Sequence, residues 1–330
     1  WALRGNPLES VTILNKTATI DERALEETPD GLTIIGYAGS TAETFAAAKG
    51  FAFLALDEVF AFDAATGMIT GYSDAGPKEV VIPSAIDGIQ VTGIGDGAFE
   101  GKELTSVHLP NGLRAIGEFA FRNNRLSAVV LPETVETVGG FAFSENEIRS
   151  FAFPAEPIEF GEGVFAANEF AEIAVPAWMQ TVPEELFSGN RANVASLVIP
   201  EGVEHIGDSA FRSAHLTAAA FPDSLRTVGA NAFSGNSLTS VVVPDGVTQV
   251  GAMAFADNPL VAAAFWNKET GIGDSAFAGD REDPEALEVI GHTGSTAEAY
   301  AQSEGHAFRP LLALSVKGTH TFPQLTAGGD

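Results

Sequence analysis

The chain has 330 residues, of which 45% are hydrophobic and 18% are charged. This composition is typical of folded globular proteins and excludes disorder of the whole chain. The 17 basic and 44 acidic residues leave a formal net charge of −27, so nucleic acid and anionic membrane surfaces are poor partners. The chain has no cysteine, which excludes disulfides, a thiolate nucleophile and cysteine-bound metals.

The N-terminal segment carries a predicted strand and a predicted capped helix. Val11 and Ile13 belong to an L-x-x-V-x-I pattern, in which apolar residues alternate as in a short strand with one buried face. Ser40 and Glu43 have the spacing of a helix capping box, and Gly50 follows as a helix stop. We therefore expect a strand before residue 14 and a helix between residues 41 and 49.

Turn signals follow this helix. The alternating run that begins at Phe60 is separated by an Ala-Ala-Thr-Gly turn from a second run that ends at Tyr72, and this pattern predicts a β-hairpin. The pair Asp87 and Gly88 predicts a further tight turn. The hairpin is expected to open the repeats that come next.

A unit of about 22 residues recurs along the rest of the chain, and such a fixed period predicts a solenoid. Most units have a proline eleven residues before a phenylalanine, and the phenylalanine usually follows an alanine. We expect these phenylalanines to fill the interior as structural residues. They are Phe99, Phe121, Phe143, Phe165, Phe187, Phe211, Phe233, Phe255 and Phe277.

Within one unit, Val107 and Leu109 are two residues apart and are predicted to point inward from a short strand, while Ser106 and His108 point outward. Pro110 lacks an N–H and is predicted to end the strand. A second short extended or turn segment is expected from the isoleucine–glycine pair onward. Asparagines three residues after most phenylalanines are predicted to bond turn backbone groups, a structural role, at Asn124, Asn146, Asn168, Asn190, Asn236 and Asn258.

The L-P-x-x-(L/V)-x-x-I-G-x-x-A-F core of the unit resembles the repeat of the BspA-like, treponemal-type bacterial leucine-rich repeat surface proteins. The resemblance covers nearly all of residues 69–310. It implies a leucine-rich repeat solenoid, an α/β superhelix with short parallel strands that is mostly β and turn, with about nine coils of about 22 residues plus helix-containing caps. Val182–Pro183 replaces the isoleucine–glycine pair, Leu186 replaces the alanine, and two residues are added after Phe187. These departures predict a small irregularity in mid-array.

The segment at residues 35–43 recurs at residues 290–298. A solenoid needs capped ends because its last coil exposes an apolar end and an unpaired strand edge, so we interpret both segments as caps. Caps of this kind also end the arrays of the resembled family. The predicted division is a truncated end of a first array with its cap at 1–56, a second array at 57–310 (opening hairpin 57–82, repeats 83–286, cap 287–310), and a linker or further module at 311–330.

No residue pattern predicts catalysis. The six histidines have no metal-ligand spacing, no serine lies in a G-x-S-x-G elbow and no lysine lies in a P-loop. The acidic residues that recur after the strand-ending prolines, and the acidic insertion at 280–285, are interpreted as solvated because no D-x-D-x-D-G loop is present. We therefore expect no enzyme activity, no cofactor and no bound calcium.

The outward strand positions predict an exposed face of roughly 35–40 Å, at ~4.8 Å per coil. Small neutral residues dominate this face, and it lacks the Trp, Tyr and Arg anchors of strong interfaces and the aromatic platforms of sugar binders. Phe119 and Phe141 either form an exposed aromatic step or, as we prefer, pack against neighbouring coils. The predicted partner contacts are His108, Val130, Ser150, Glu172, Val198 and Val242.

The resemblance also implies a function. The resemblance implies a non-catalytic module that is secreted or lies at the bacterial cell surface. Such a module is expected to bind proteins of host cells, neighbouring cells or extracellular matrix, without inserting into the membrane. One alternative is a passive stalk or spacer within a larger surface protein. A third is a carbohydrate-binding or enzyme-associated module.

Overall fold

The computed structural model describes residue 3 and residues 6–28, 31–279 and 287–311. Over these residues the chain winds into a solenoid of about 13 turns with few helices. The predicted number was about nine, because it counted only the coils that contain the recurring phenylalanine. The N-terminal array, which includes the first cap, and the C-terminal cap contribute additional turns. The acidic insertion at 280–285 and residues 312–330 lie outside the described residues.

The N-terminal array is a three-stranded parallel sheet with a helix between its second and third strands. The Ser40 hydroxyl accepts a hydrogen bond from the Glu43 N–H at 3.3 Å, as the capping box predicts. The Glu43 carboxylate, however, accepts from the Gly39 N–H at 2.6 Å instead of from Ser40. Its elements are β1 (Ser10–Ile13), β2 (Thr33–Gly36), α1 (Thr41–Lys49) and β3 (Ala52–Ala55).

Two antiparallel hairpins open the second array. The first lies where the alternating pattern predicts it, and the second turns at Asp87 and Gly88, which have φ values of 50° and 80°. Positive φ at both positions is the geometry that the Asp-Gly pair favours in a tight hairpin. The elements here are α2 (Leu56–Val59), β4 (Phe60–Asp63), β5 (Met68–Tyr72), β6 (Glu79–Val81), β7 (Ala85–Ile86) and β8 (Ile89–Gln90).

Each coil of the second array contributes up to two strands, a first strand before the proline and a second strand that ends just before the glycine. The first strands are β6, β10 (Ser106–His108), β15 (Leu197–Val198), β17 (Ala219–Ala220), β19 (Ser240–Val243) and β21 (Ala262–Phe265). The second strands are β9 (Gly93–Ile94), β11 (Ala115–Ile116), β12 (Thr137–Val138), β13 (Glu159–Phe160), β14 (Thr181–Val182), β16 (His205–Ile206), β18 (Thr227–Val228), β20 (Gln249–Val250) and β22 (Gly271–Ile272).

The C-terminal cap repeats the strand–helix–strand design of the N-terminal array. Ser295 and Gly305 cap its helix as Ser40 and Gly50 cap α1. Its two strands extend the sheet of first strands, in the order β19–β21–β23–β24, and so cover the end of the solenoid. The elements are β23 (Glu288–Gly291), α3 (Thr296–Glu304) and β24 (Ala307–Pro310).

The ladder of first strands is interrupted in mid-array, which corrects the prediction of a strand in every unit. First strands pair as β6–β10, β15–β17 and β19–β21–β23–β24, and residues 126–175 form none. Phe151 and Phe153 occupy the inward strand positions of one unit in this region, and the centre of the Phe151 ring lies 4.5 Å from that of Phe165.

The recurring phenylalanines lie in the interior, and each is at most 1% exposed. Rings of successive coils stack with centroids 4.9–6.2 Å apart. The stack is offset and nearly parallel, a favourable arrangement for aromatic pairs. A single column of rings therefore connects nine consecutive coils.

The recurring asparagines are buried and link successive coils by hydrogen bonds. The Asn146 amide donates to the carbonyl of Phe121 at 2.9 Å and to that of Phe143 at 3.1 Å, while its oxygen accepts from the Leu126 N–H at 3.1 Å. The Phe121 carbonyl also accepts from Asn124 at 2.9 Å. Each of these phenylalanine carbonyls therefore joins two asparagines, and the column satisfies backbone groups that have no strand partner.

Phe119 and Phe141 pack on one another, with ring centroids 5.7 Å apart and planes at 12°. Arg122 covers the Phe119 ring at 5.5 Å. A Cβ atom at Gly163 would lie 2.2 Å from the Phe141 ring, so that ring occupies the space above the next coil. The rings therefore form a packed stack across coils and not a free aromatic step.

The two arrays contact each other through an ion pair and a ring. Lys16 Nζ lies 2.8 Å from Asp87 Oδ1 and 4.6 Å from the centre of the Tyr37 ring. The hydrogen bond from Lys16 to Asp87 raises the pKa of the Lys16 ammonium. Tyr37 also accepts a hydrogen bond from the Asp87 N–H at 3.2 Å. The division of domains at residue 56 stays a prediction.

No helix within the described ranges has the length and apolarity needed to cross a bilayer.

Candidate interaction surface

The candidate surface is the exposed side of the first strands, which we call the strand face. It consists of the outward positions of each coil of the second array. Burial alternates along these strands, as in β19, where Val241 and Val243 are buried while Ser240 and Val242 are exposed. The six predicted contact residues, which are His108, Val130, Ser150, Glu172, Val198 and Val242, are all exposed on this face.

Small and apolar side chains dominate the strand face, although the chain as a whole is strongly acidic. Val130 is 81% exposed and Val198 is 66% exposed, and both have alanine or serine as outward neighbours. Among the six contact residues Glu172 is the one carboxylate, and none is Lys or Arg. The strand face thus avoids the cost of desolvating charge when it is covered.

His108 lies at one end of the strand face, in a cleft between the two arrays. This cleft, of about 580 Å³, is lined by Ser10, Thr12 and Leu14 on one side and by Val81 and His108 on the other. The sequence placed His108 on the surface but did not indicate that β1 lies opposite it. Contacts between the two arrays, such as the Lys16–Asp87 ion pair, hold these segments beside one another, and no local sequence pattern encodes that arrangement.

A second, shallower groove of about 440 Å³ divides the strand face near its middle. Glu172 lies on one side of this groove and Val198 on the other. It lies where two residues are added after Phe187 and where the ladder of first strands is missing. The strand face is therefore divided by this groove and is not one continuous surface.

The described part of the chain contains no cluster of three or more His, Cys, Asp or Glu side chains placed to hold a metal ion. We therefore expect EDTA to leave the melting temperature unchanged within experimental error, since convergent carboxylates are what calcium requires. Thermal melts monitored by circular dichroism, with and without EDTA, test this. A fall of many degrees that calcium alone restores would contradict it and would direct attention to residues 280–285.

Parallel coils, a stacked phenylalanine column and an asparagine ladder define the class of the protein as a leucine-rich repeat solenoid, which confirms the predicted fold class. The model of the BspA type leucine rich repeat region matches residues 92–213 and 180–282, with six copies. These matches cover more than half of the chain, and the protein belongs to the BspA-type leucine-rich repeat family.

Solved structures of bacterial leucine-rich repeat proteins resemble the chain. A leucine-rich repeat protein from Bacteroides ovatus is 25% identical, with 72% of this chain and 70% of that one covered and a TM-score of 0.58. A leucine rich cell surface protein from Faecalibacterium prausnitzii is 19% identical, with 70% and 73% covered and a TM-score of 0.38. No curated protein matches the chain. The matches indicate a repeat protein and no enzyme family.

Proposed function

We propose that this chain is a non-catalytic interaction module of a secreted or cell-surface bacterial protein, and that it binds a protein partner on host cells, neighbouring cells or extracellular matrix through the strand face. The observation that carries the proposal is the nearly uncharged, exposed strand face on a chain of net charge −27. An interface core is depleted of charge, and the strand face meets this condition over several coils.

The composition of the strand face also limits its affinity. Its contact positions carry Val, Ser, His and Glu, and no Trp, Tyr or Arg, which dominate the energetics of tight interfaces. We therefore expect weak single contacts that become effective when many copies are displayed on one surface. The same lack of anchors favours the second candidate function, a passive stalk that projects another domain.

The strand-face proposal predicts that the double variant Val130→Lys, Val198→Lys loses binding. Two lysines on this face would have to be desolvated in any complex that covers it. A desolvation free energy above about 1.4 kcal/mol lowers the affinity at least about tenfold, so we expect at least about tenfold fewer beads coated with the variant to bind. The measurement is the number of coated fluorescent beads retained by host cells, by neighbouring bacteria and by immobilised matrix proteins.

The matched control is Asn111→Lys, Ala155→Lys, which adds the same charge at exposed turn positions. It is expected to bind like the wild type. Retention of the strand-face variant at the wild-type level would place the site elsewhere. No retention of either form would favour the stalk.

A further inference from the structure

Within the part of the chain that the structure describes, the sheet of second strands is broken at one position, between β13 and β14. At other junctions the glycine after the second strand donates its N–H to the previous coil, as Gly161 does to the Val138 carbonyl at 2.8 Å and Gly207 to the Val182 carbonyl at 2.9 Å. Pro183 takes the place of this glycine, and proline has no N–H to donate. The carbonyl of Phe160 is therefore left without the hydrogen bond that its counterparts receive.

The neighbouring hydrogen bond across this junction is missing as well. The N–H of Thr227 donates to the Glu204 carbonyl at 3.2 Å, but that of Thr181 does not reach the Ile158 carbonyl within the described structure. The N–H of Gln180 donates to the Trp178 carbonyl at 3.1 Å and so forms a local turn. Among the described residues, the carbonyl oxygens of Ile158 and Phe160 therefore accept no backbone hydrogen bond from the next coil.

An open, shallow groove of about 460 Å³ is lined by Ile158 and Phe160, the residues that carry these carbonyls. Glu159, Phe160 and Trp178 line it, together with Pro157 and Pro183. The Trp178 indole is held in place because its Nε1–H donates to the Pro154 carbonyl at 3.0 Å. Glu159 is exposed and forms no ion pair among the described residues, and no basic side chain lines the groove.

This combination selects a cationic ligand that only donates hydrogen bonds. Backbone carbonyls and a carboxylate are acceptors, and an indole ring attracts a cation to its face. A guanidinium suits the groove better than an ammonium, because its donors lie in one plane and the plane stacks on aromatic rings. The net charge of −27 also favours the approach of a cation.

We propose that the groove at Pro183 is a binding site for an arginine side chain of a partner protein. The site lies on the sheet of second strands and not on the strand face. It therefore adds a second point of recognition, and its test does not depend on the proposed function.

The experiment follows the indole ¹⁵N–¹H signal of Trp178, assigned with Trp178→Phe, during titration with acetyl-Gly-Arg-Gly-amide. The same peptide with citrulline in place of arginine is the neutral, isosteric probe. The peptide with lysine in place of arginine tests whether the planar arrangement of the guanidinium donors is required. We expect a saturable shift with arginine, binding at least fivefold weaker with lysine, and no shift with citrulline.

Two variants test the chemistry of the site. Pro183→Gly supplies the missing N–H to the Phe160 carbonyl, and Glu159→Gln removes the carboxylate, so each is expected to weaken arginine binding at least fivefold. Glu133→Gln removes one exposed carboxylate elsewhere and is the charge-matched control, expected to bind as the wild type does. Circular dichroism melts verify folding of each variant, and Glu159→Gln, an exposed substitution, decides the matter if Pro183→Gly does not fold.

Three results would overturn the proposal. The first is the absence of any saturable shift in the wild type. The second is wild-type affinity in both site variants. The third is an equal loss in Glu133→Gln, which would mean that the acidic chain attracts the peptide without a specific site. The strand-face variant Val130→Lys, Val198→Lys is expected to keep arginine binding, so failure of either proposal leaves the other standing.

Discussion

Replacement of Phe143 by alanine is expected to lower the free energy of unfolding by about 3–5 kcal/mol, the usual cost of a large-to-small change in a core that relaxes only partly. The ring is 0% exposed and stacks on Phe121 at 5.3 Å and on Phe165 at 6.2 Å. Its removal interrupts the phenylalanine column between two coils. Because each coil contacts only its neighbours, such a gap weakens both adjoining interfaces at once.

Urea denaturation followed by circular dichroism measures this effect, with Phe233→Ala as a second site in a regular part of the column. Phe233 is also 0% exposed and has stacked neighbours on both sides at 5.2 and 5.3 Å. Glu133→Ala, at an exposed turn, is the control and is expected to be nearly silent. Equal tolerance of the core and surface changes would mean that the phenylalanine column does not hold the solenoid together.

Asn146→Ala is expected to destabilise the protein by about 3 kcal/mol, because a buried donor loses its acceptor and further hydrogen bonds are lost. The Leu126 N–H has Asn146 Oδ1 as its acceptor, at 3.1 Å. The Phe121 and Phe143 carbonyls each keep a second asparagine, Asn124 and Asn168. The orphaned N–H therefore carries most of the cost.

The same urea measurement applies, with Asn111→Ala as the control at an exposed asparagine that is outside the column. Asn146→Asp separates the two halves of the amide, since the ionised carboxylate keeps an acceptor and has no donor, whereas the protonated carboxyl keeps one donor. Burial raises the pKa of the introduced carboxyl, so this variant is expected to become less stable as the pH rises from acid to neutral. A loss below 0.5 kcal/mol for Asn146→Ala, the range of ordinary surface changes, would contradict the structural role of the asparagine ladder.

The periodic residues could be assigned from the sequence because each repeats in the same environment. A phenylalanine such as Phe143, an asparagine such as Asn146 and a proline such as Pro110 meet their own counterparts in the next coil, so spacing alone determines what they contact. The caps of the two helices could also be predicted from the sequence, because Ser40 and Ser295 bond to backbone groups only a few residues away. The fold class and the identity of the outward positions follow from these local rules.

The repeat pattern of the sequence does not predict the missing first strands or the break in the sheet of second strands. Pro183 was recognised as a departure from the isoleucine–glycine pair, but the exposure of the Phe160 carbonyl depends on the coil before it. Similarly, Phe151 and Phe153 satisfy the apolar pattern of a strand, yet residues 126–175 form no first strand. A sequence pattern gives the polarity and spacing of side chains. Strand pairing also requires that two backbones lie at hydrogen-bonding distance.

The sequence by itself therefore determined the repeat, the interior column, the caps and the nearly uncharged outward face. The tertiary structure alone decided where β1 lies opposite His108, where the sheet of second strands opens at Pro183, and that Phe119 and Phe141 are stacked. The physical reason is the range of the interactions. Periodic features are set by contacts that repeat between identical neighbours, while the clefts and breaks arise where unlike segments meet and their backbones do not fit one another.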